Sequence, residues 1–306
     1  MLQLKYRGMD YQQLGKSDLE ISRIGFGCMA LKPGQPQNET IIHRAIGLGI
    51  NYFDTADLYD KGANEELLGR AFNQKRNEVI IATKVGNQWR SDGSGWDWNP
   101  RKDYILKSVE ESLKRLQTDR IDLYQLHGGT IDDPIDETID AFEQLVKQGK
   151  IRYYGISSIR PNVIRYWSEH SNIVSVMMQY SLLDRRPEEE CLPLVGEKNI
   201  GVLIRGSVAQ GLLVDKPPKP YLNYSEQEVY KAAKSIQLIL KKNRTPAQTA
   251  IQFVLRHPNV SSAIVGIRTM EQLEEAVNTI TSPNLTNSEI QTLKNSIPLN
   301  FYKEHR

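Results

Sequence analysis

Glu78-Val79-Ile80-Ile81-Ala82-Thr83-Lys84-Val85 is an apolar run of strand length. It reads as a strand buried on both faces, the kind found in parallel sheets covered by helices. The flanking sequence alternates in the same manner. Upstream, residues 23–27 read as a first strand and 38–47 as a helix with Ile41, Ile42, Ala45 and Ile46 on one side. Residues 52–56 form the next strand and 64–72 the next helix. Downstream, 103–117 reads as a helix with Asp103 as its N-cap. A strand over 121–126 follows, then a helix over 135–148 stopped by Gly149. Strand 151–156 precedes a helix over 161–170 that opens on Pro161. Strand 175–180, helix 188–198 and strand 201–204 come next. Helices over 225–242 and 246–256, a last strand over 262–267 and a last helix over 270–280 complete the series.

Parallel strands joined by helical crossovers need both faces covered, and eight such units close into a barrel. The expected fold is therefore α/β, a (β/α)8 TIM barrel forming one domain over residues 1–306. No Gly-x-Gly-x-x-Gly lies between a strand and a helix, which removes the main support for a dinucleotide-binding open sheet.

Composition narrows the function. The net charge is +2, with 39 Lys and Arg against 37 Asp and Glu, and there is no long basic run. Nucleic acid is not an expected partner. No apolar stretch approaches a membrane span of roughly 20 residues, and residues 1–8 show no apolar signal core. The two cysteines, Cys28 and Cys191, are far apart and mark neither a disulfide framework nor a zinc site. A cytoplasmic protein without metal is the expectation.

Two segments look least like core. Residues 86–101 carry Trp89, Trp96 and Trp98, and residues 213–224 are proline-rich. Both follow a strand, which places them on the C-terminal rim of a barrel, where loops carry function.

Polar residues end several otherwise apolar strands. Asp54 ends Asn51-Tyr52-Phe53-Asp54, Lys84 ends Ile80-Ile81-Ala82-Thr83-Lys84, and His127 ends Leu123-Tyr124-Gln125-Leu126-His127. Tyr59 follows Asp54 in the loop before a helix. Taken singly, such an aspartate is often a turn residue and such a histidine often a hydrogen-bonded core residue. A lone tyrosine among 14 means little. Together, at neighbouring strand ends of one barrel, they converge on one mouth. An ammonium compensated by Asp54 would favour phenolate over phenol and draw Tyr59 down from about 10 toward neutrality. A phenol tuned in that way gives a proton to a carbonyl oxygen while hydride reaches the carbon. His127 would hydrogen-bond the same oxygen.

The chain resembles the aldo-keto reductase family over almost its full length. The resemblance rests on Asn51-Tyr52-Phe53-Asp54-Thr55-Ala56-Asp57-Leu58-Tyr59, Ala82-Thr83-Lys84-Val85-Gly86 and Asp122-Leu123-Tyr124-Gln125-Leu126-His127. Gly155-Ile156-Ser157-Ser158, Gln179-Tyr180-Ser181 and Ile264-Val265-Gly266-Ile267-Arg268 match further blocks. It implies a TIM barrel that reduces aldehydes or ketones with NADP(H), without metal or flavin. It assigns Tyr59 as general acid, Lys84 as the group that lowers its pKa, Asp54 as the anchor of Lys84, and His127 as the group that orients the carbonyl. The substrate is a small carbonyl compound or alcohol, and the protein a monomer or weak homo-oligomer with a short C-terminal loop, since residues 300–306 are a brief polar tail.

The same resemblance places the cofactor. Gly27, Cys28 and Met29 are expected at the nicotinamide end, with Ser157, Ser158 and Gln179 on its carboxamide. Gly206, Ser207, Val208, Ala209 and Gln210 are expected along the pyrophosphate, with Lys216 reaching it. Gly266, Arg268, Gln272 and Glu275 are expected at the adenosine end. Arg268, at a helix start, suits a 2′-phosphate, because guanidinium and helix N-terminus both attract anions.

Three positions depart from the family pattern. Arg205 stands where many relatives carry an aromatic ring that stacks on the nicotinamide; a guanidinium also stacks. Its charge would face a ring that turns positive on oxidation, which predicts weaker NADP+ relative to NADPH. Ser158 stands in place of a frequent Asn, and Ala276 in place of another near the adenine. Two other readings compete: a Schiff-base aldolase using Lys84, and a nucleotide-bound barrel acting as a regulatory or redox-sensing subunit. Trp89, Trp96 and Trp98 are expected to wall an apolar or sugar-like pocket.

Overall fold

The structure, a computed structural model, describes residues 8–306. It opens with an antiparallel hairpin, β1 (Tyr11–Gln13) and β2 (Glu20–Ser22). The barrel strands in chain order begin with β3 (Ile24–Gly27), β4 (Tyr52–Asp54) and β5 (Ile80–Val85). A second hairpin, β6 (Asn87–Trp89) and β7 (Trp96–Trp98), stands on the loop after β5. The barrel continues with β8 (Ile121–Leu126), β9 (Ile151–Ser157), β10 (Ser175–Gln179), β11 (Gly201–Arg205) and β12 (Val260–Gly266). The eight strands form a closed parallel ring in the order β3-β4-β5-β8-β9-β10-β11-β12, the TIM barrel expected from the alternation.

Ten helices cover it among the described residues. They are α1 (Gln37–Gly47), α2 (Ala63–Phe72), α3 (Lys102–Leu116), α4 (Ile135–Lys147), α5 (Pro161–His170), α6 (Cys191–Glu197), α7 (Glu226–Leu238), α8 (Pro246–Leu255), α9 (Met270–Val277) and α10 (Asn287–Asn295). None is long and apolar enough to cross a membrane.

Local chemistry explains where the element ends depart from the expected ones. Asp103 is not the N-cap of α3; that position is Arg101, and Asp103 lies in the first turn. Glu137 of α4 accepts from the Lys102 N–H, so a neighbouring helix supplies the cap. Helix α6 begins at Cys191 rather than near residue 188. The later start puts Pro193 in the first turn, where a missing N–H costs nothing; the earlier one would put it in the interior. Helix α7 ends at Leu238, short of residue 242, and the Arg244 guanidinium donates to the Ile239 carbonyl just beyond it. Gly149, at φ +71°, stops α4 as expected.

The core has two layers. Between strands and helices lie Phe26, Phe53, Tyr124, Phe142 and Trp167, all buried. Inside the barrel, Tyr52, Leu123, Met177, Leu203 and Ile264 pack against Leu14, Leu19 and Ile21 of the first hairpin. That hairpin lies across the N-terminal end of the barrel. Its turn residue Gly15, at φ +54°, sits so close to Val174 and Gly201 that a Cβ would come within 2.5 Å of the Val174 carbonyl oxygen.

Candidate active site

The C-terminal ends of β4, β5 and β8 bring together the four residues singled out above. Asp54 is the last residue of β4, and Lys84 lies next to the end of β5. Tyr59 starts a short turn over Tyr59–Gly62, where Asp60 and Lys61 adopt left-handed backbone angles of φ 48° and 55°. His127 directly follows β8, and its N–H bonds the Val85 carbonyl.

The Lys84 ammonium donates to Asp54 Oδ2 at 2.6 Å, to the Thr55 carbonyl at 2.7 Å and to the Tyr59 hydroxyl at 3.4 Å. These three acceptors use its whole donor capacity. Gln125, fully buried on β8, donates to the other Asp54 oxygen at 3.3 Å. The Tyr59 and His127 rings meet edge to face at 5.8 Å between centroids.

Charge and burial set the protonation states. Burial lowers the Lys84 pKa, but Asp54 and Tyr59 together outweigh it and hold the ammonium above its ordinary value. Burial raises the Asp54 carboxyl, opposed chiefly by Lys84. His127 is pushed down to about 3 by burial, Lys84 and Arg205, so its ring is neutral near pH 7. Its Nδ1 is buried with no hydrogen-bond partner among the described residues. The expectation for Tyr59 needs correcting. Lys84 does pull the phenol down, but burial is larger and leaves it above its ordinary value in the free protein.

A cavity of about 740 Å³ opens from this group across the barrel mouth. Gly27, Met29, Ser157, Ser158 and Gln179 line it, as do Arg205, Gly206, Ser207, Val208, Gln210 and Gly266. Its size is that of a cofactor or substrate pocket. Gly206, at φ +75°, turns the chain out of β11, and a Cβ there would meet the Gln179 side chain at 3.3 Å. Gln179 is locked in place: its amide nitrogen donates to Asp184 and to the Tyr221 hydroxyl, and its oxygen accepts from Arg205 at 3.1 Å. Backbone free of side chains, amide and hydroxyl donors, and cationic Arg205 are a donor set that fits an anionic dinucleotide.

Other expected residues lie elsewhere. The Cys28 side chain turns into the core, fully buried, and its thiol bonds the Phe26 carbonyl rather than facing the cavity. Ala209 is also buried in the core. Glu275 accepts from the Thr245 hydroxyl at 2.7 Å and so braces the N-cap of α8. Ala276, on the buried face of α9, packs in the core. Lys216 and Arg268 are exposed and outside the cavity lining. Gln272 also lies outside it, and its side-chain oxygen accepts from the Arg268 N–H.

The tryptophans do not wall the cavity. Trp98 lies against Gly86, Gly128 and Gly129 and donates to Asp133, and Trp89 donates to the Leu58 carbonyl. Trp96 points to solvent. The lining instead includes Leu58, Ile159, Arg160, Met177 and Tyr221, which the sequence reading missed. For Tyr221 a signal existed, since it lies in the proline-rich rim segment. For Arg160 the signal was its place just after Gly155-Ile156-Ser157-Ser158.

The sequence profile of the aldo/keto reductase family matches residues 23–297. The chain belongs to the aldo/keto reductase family. Family members use nicotinamide cofactors, and membership makes the protein an oxidoreductase. It is similar to the uncharacterized oxidoreductase YqkF of Bacillus subtilis, at 49% identity over 97% of this chain and all of that one. The aldo-keto reductase yakc [NADP(+)] of Schizosaccharomyces pombe is 31% identical over 83% of this chain and 82% of its own. Among solved structures, the holo form of aldo-keto reductase AKR11C1 from Bacillus halodurans superposes with a TM-score of 0.91. It is 48% identical, with 97% of this chain and 99% of that chain covered.

Proposed function

We propose that this protein reduces aldehydes or ketones to alcohols with NADPH, reversibly, with Tyr59 as general acid. The observation that carries the reading is the Lys84 ammonium, held by Asp54 at 2.6 Å and reaching the Tyr59 hydroxyl at 3.4 Å. When bound, the nicotinamide supplies the hydride for the carbonyl carbon. Tyr59 gives its hydroxyl proton to the carbonyl oxygen, and the phenolate left behind is stabilised by Lys84 before it takes a proton from solvent. Neutral His127 donates a ring N–H to the same oxygen and fixes which carbonyl face is presented. In the reverse direction the phenolate accepts the alcohol proton.

On this reading Ser157, Ser158 and Gln179 position the carboxamide, while Gly206, Ser207, Val208 and Gln210 accompany the pyrophosphate, with Lys216 on the exposed rim segment that follows. Arg268 and Gln272 are the adenosine-end candidates, and a 2′-phosphate on Arg268 would give NADP(H) preference. The NADP(+) in the name of the fission-yeast relative supports that choice. The free, buried cysteines Cys28 and Cys191 suit a cytoplasmic protein, working as a monomer or weak homo-oligomer. A Schiff-base role for Lys84 is disfavoured, because a protonated amine with three acceptors is not a nucleophile.

The test is NADPH and NADH consumption over a panel of aldehydes, ketones and sugars. Turnover with NADPH is expected, and Tyr59→Phe should lower kcat by about 100-fold or more. An unimpaired Tyr59→Phe enzyme would defeat the assignment, and no turnover on any carbonyl would favour the regulatory barrel.

A further inference from the structure

The active-site cavity has an unbalanced charge. Among the described residues its only lining carboxylate is Asp54, already committed to Lys84, whereas Arg160 and Arg205 both line it. Neither guanidinium forms an ion pair among the described residues. Arg205 sits on the β11 side with the glycine-rich turn and is bonded to Gln179. Arg160 lies just past β9, which is separated from β11 by β10 and pairs on its other edge with β8. Its Nη1 donates to the carbonyl of Gly129, two residues after His127, and its backbone N–H donates to the Ser158 hydroxyl at 3.1 Å. The first of these bonds pins the head group beside the His127 loop, and the second fixes the backbone from which it extends. Its Nε, however, is buried without a partner. A buried donor on a charged group costs stability unless something accepts from it. The guanidinium lines the cavity with no carboxylate to neutralise it, and its planar fork matches a carboxylate.

We infer that Arg160 receives a carboxylate carried by the substrate, so that the preferred substrates are short aldehydes or ketones bearing an acid group. This rests on the carbonyl-reductase reading and adds the substrate class to it. Arg160 is bonded to the loop that follows His127, and β10 lies between its own strand and the one that leads into the turn assigned to the pyrophosphate. A carboxylate there leaves the carbonyl of the same short molecule free to reach Tyr59 and His127. Burial is the main cause of the lowered His127 pKa, and Lys84 and Arg205 add a positive field to it that an anionic substrate would also meet.

The test compares succinic semialdehyde with butanal, which has the same carbon count and no acid group, in wild type, Arg160→Met and Arg160→Lys. Wild type is expected to favour the acid aldehyde in kcat/KM by about tenfold or more, the size of one charge-assisted hydrogen-bonded pair. Arg160→Met should erase that ratio through KM for the acid aldehyde, and Arg160→Lys should restore part of it. Calorimetric titration with butanoate, which has no reducible carbonyl, gives a readout without turnover. Binding in wild type and its loss in Arg160→Met are expected. Equal kcat/KM for the two aldehydes in wild type overturns the inference alone. So does a rise of both KM values together in Arg160→Met, the mark of a mere brace on Gly129. No turnover of either aldehyde while other carbonyl compounds are reduced overturns the inference alone, and no turnover of any carbonyl compound overturns the reductase reading and the inference with it.

Discussion

Gln125 holds the Asp54 oxygen that Lys84 leaves free, at 3.3 Å, from a fully buried position on the neighbouring side of the barrel. The bond favours the ionised carboxylate and so opposes the rise that burial imposes. Removing it with Gln125→Met should raise the Asp54 pKa further, so the carboxylate is lost at a higher pH. The acid limb of the kcat profile should therefore move up, with about a fivefold loss of kcat on that limb, equivalent to one hydrogen bond of about 1 kcal/mol. A profile that does not move would mean that Gln125 only fills space.

The Asp54–Lys84 pair is almost fully buried, with side-chain exposures of 7% and 1%. Lys84→Met leaves a carboxylate without its counter-ion and should cost about 3–5 kcal/mol of stability. Adding Asp54→Asn removes the stranded charge and should recover part of that loss. Urea denaturation of the two single variants and the double variant gives the coupling. Additive losses would show that the pair is not coupled in folding.

Burial, Lys84 and Arg205 push the His127 pKa down to about 3 in the folded chain, against 6.5 for a free imidazole. Between those values the unfolded chain binds a proton that the folded one does not. Its contribution to stability is thus fully present above about pH 6.5 and is lost as pH falls toward about 3. Replacing it with Gln should flatten the dependence of the urea midpoint on pH within that window. An unchanged slope would contradict a neutral, buried ring.

Arg205 presents its charge where a stacking ring is common in the family, and it is anchored by Gln179 at 3.1 Å. If it faces the nicotinamide, it repels the oxidised ring. Arg205→Tyr should then raise affinity for NADP+ relative to NADPH, by roughly three- to tenfold for removal of one partly screened charge contact. Fluorescence titration of both forms measures the ratio, and an unchanged ratio removes Arg205 from that role.

The barrel was legible because its strands carry near-continuous apolar runs, and such runs need helices on both sides. The cluster of Asp54, Tyr59, Lys84 and His127 was legible because each member interrupts or closely follows such a run. Other features depend on contacts remote in sequence. Nothing near Asp103 announces that Glu137 caps α3. Nothing around Glu275 tells that its carboxylate meets Thr245 across two helices. Helix α10 was missed although Thr286 and Glu289 form a capping box that can be read by eye. The first hairpin was missed because its strands are three residues each, too short for a period to emerge. The tryptophans misled because an indole near a mouth looks like a wall. Trp98 is instead the packing partner of three glycines.

That first hairpin has a consequence for traffic. Leu14, Leu19 and Ile21 stopper the far end of the barrel with apolar side chains, so the interior is a cul-de-sac. On the proposed function, nucleotide and carbonyl compound would therefore both have to come and go by way of the opposite rim.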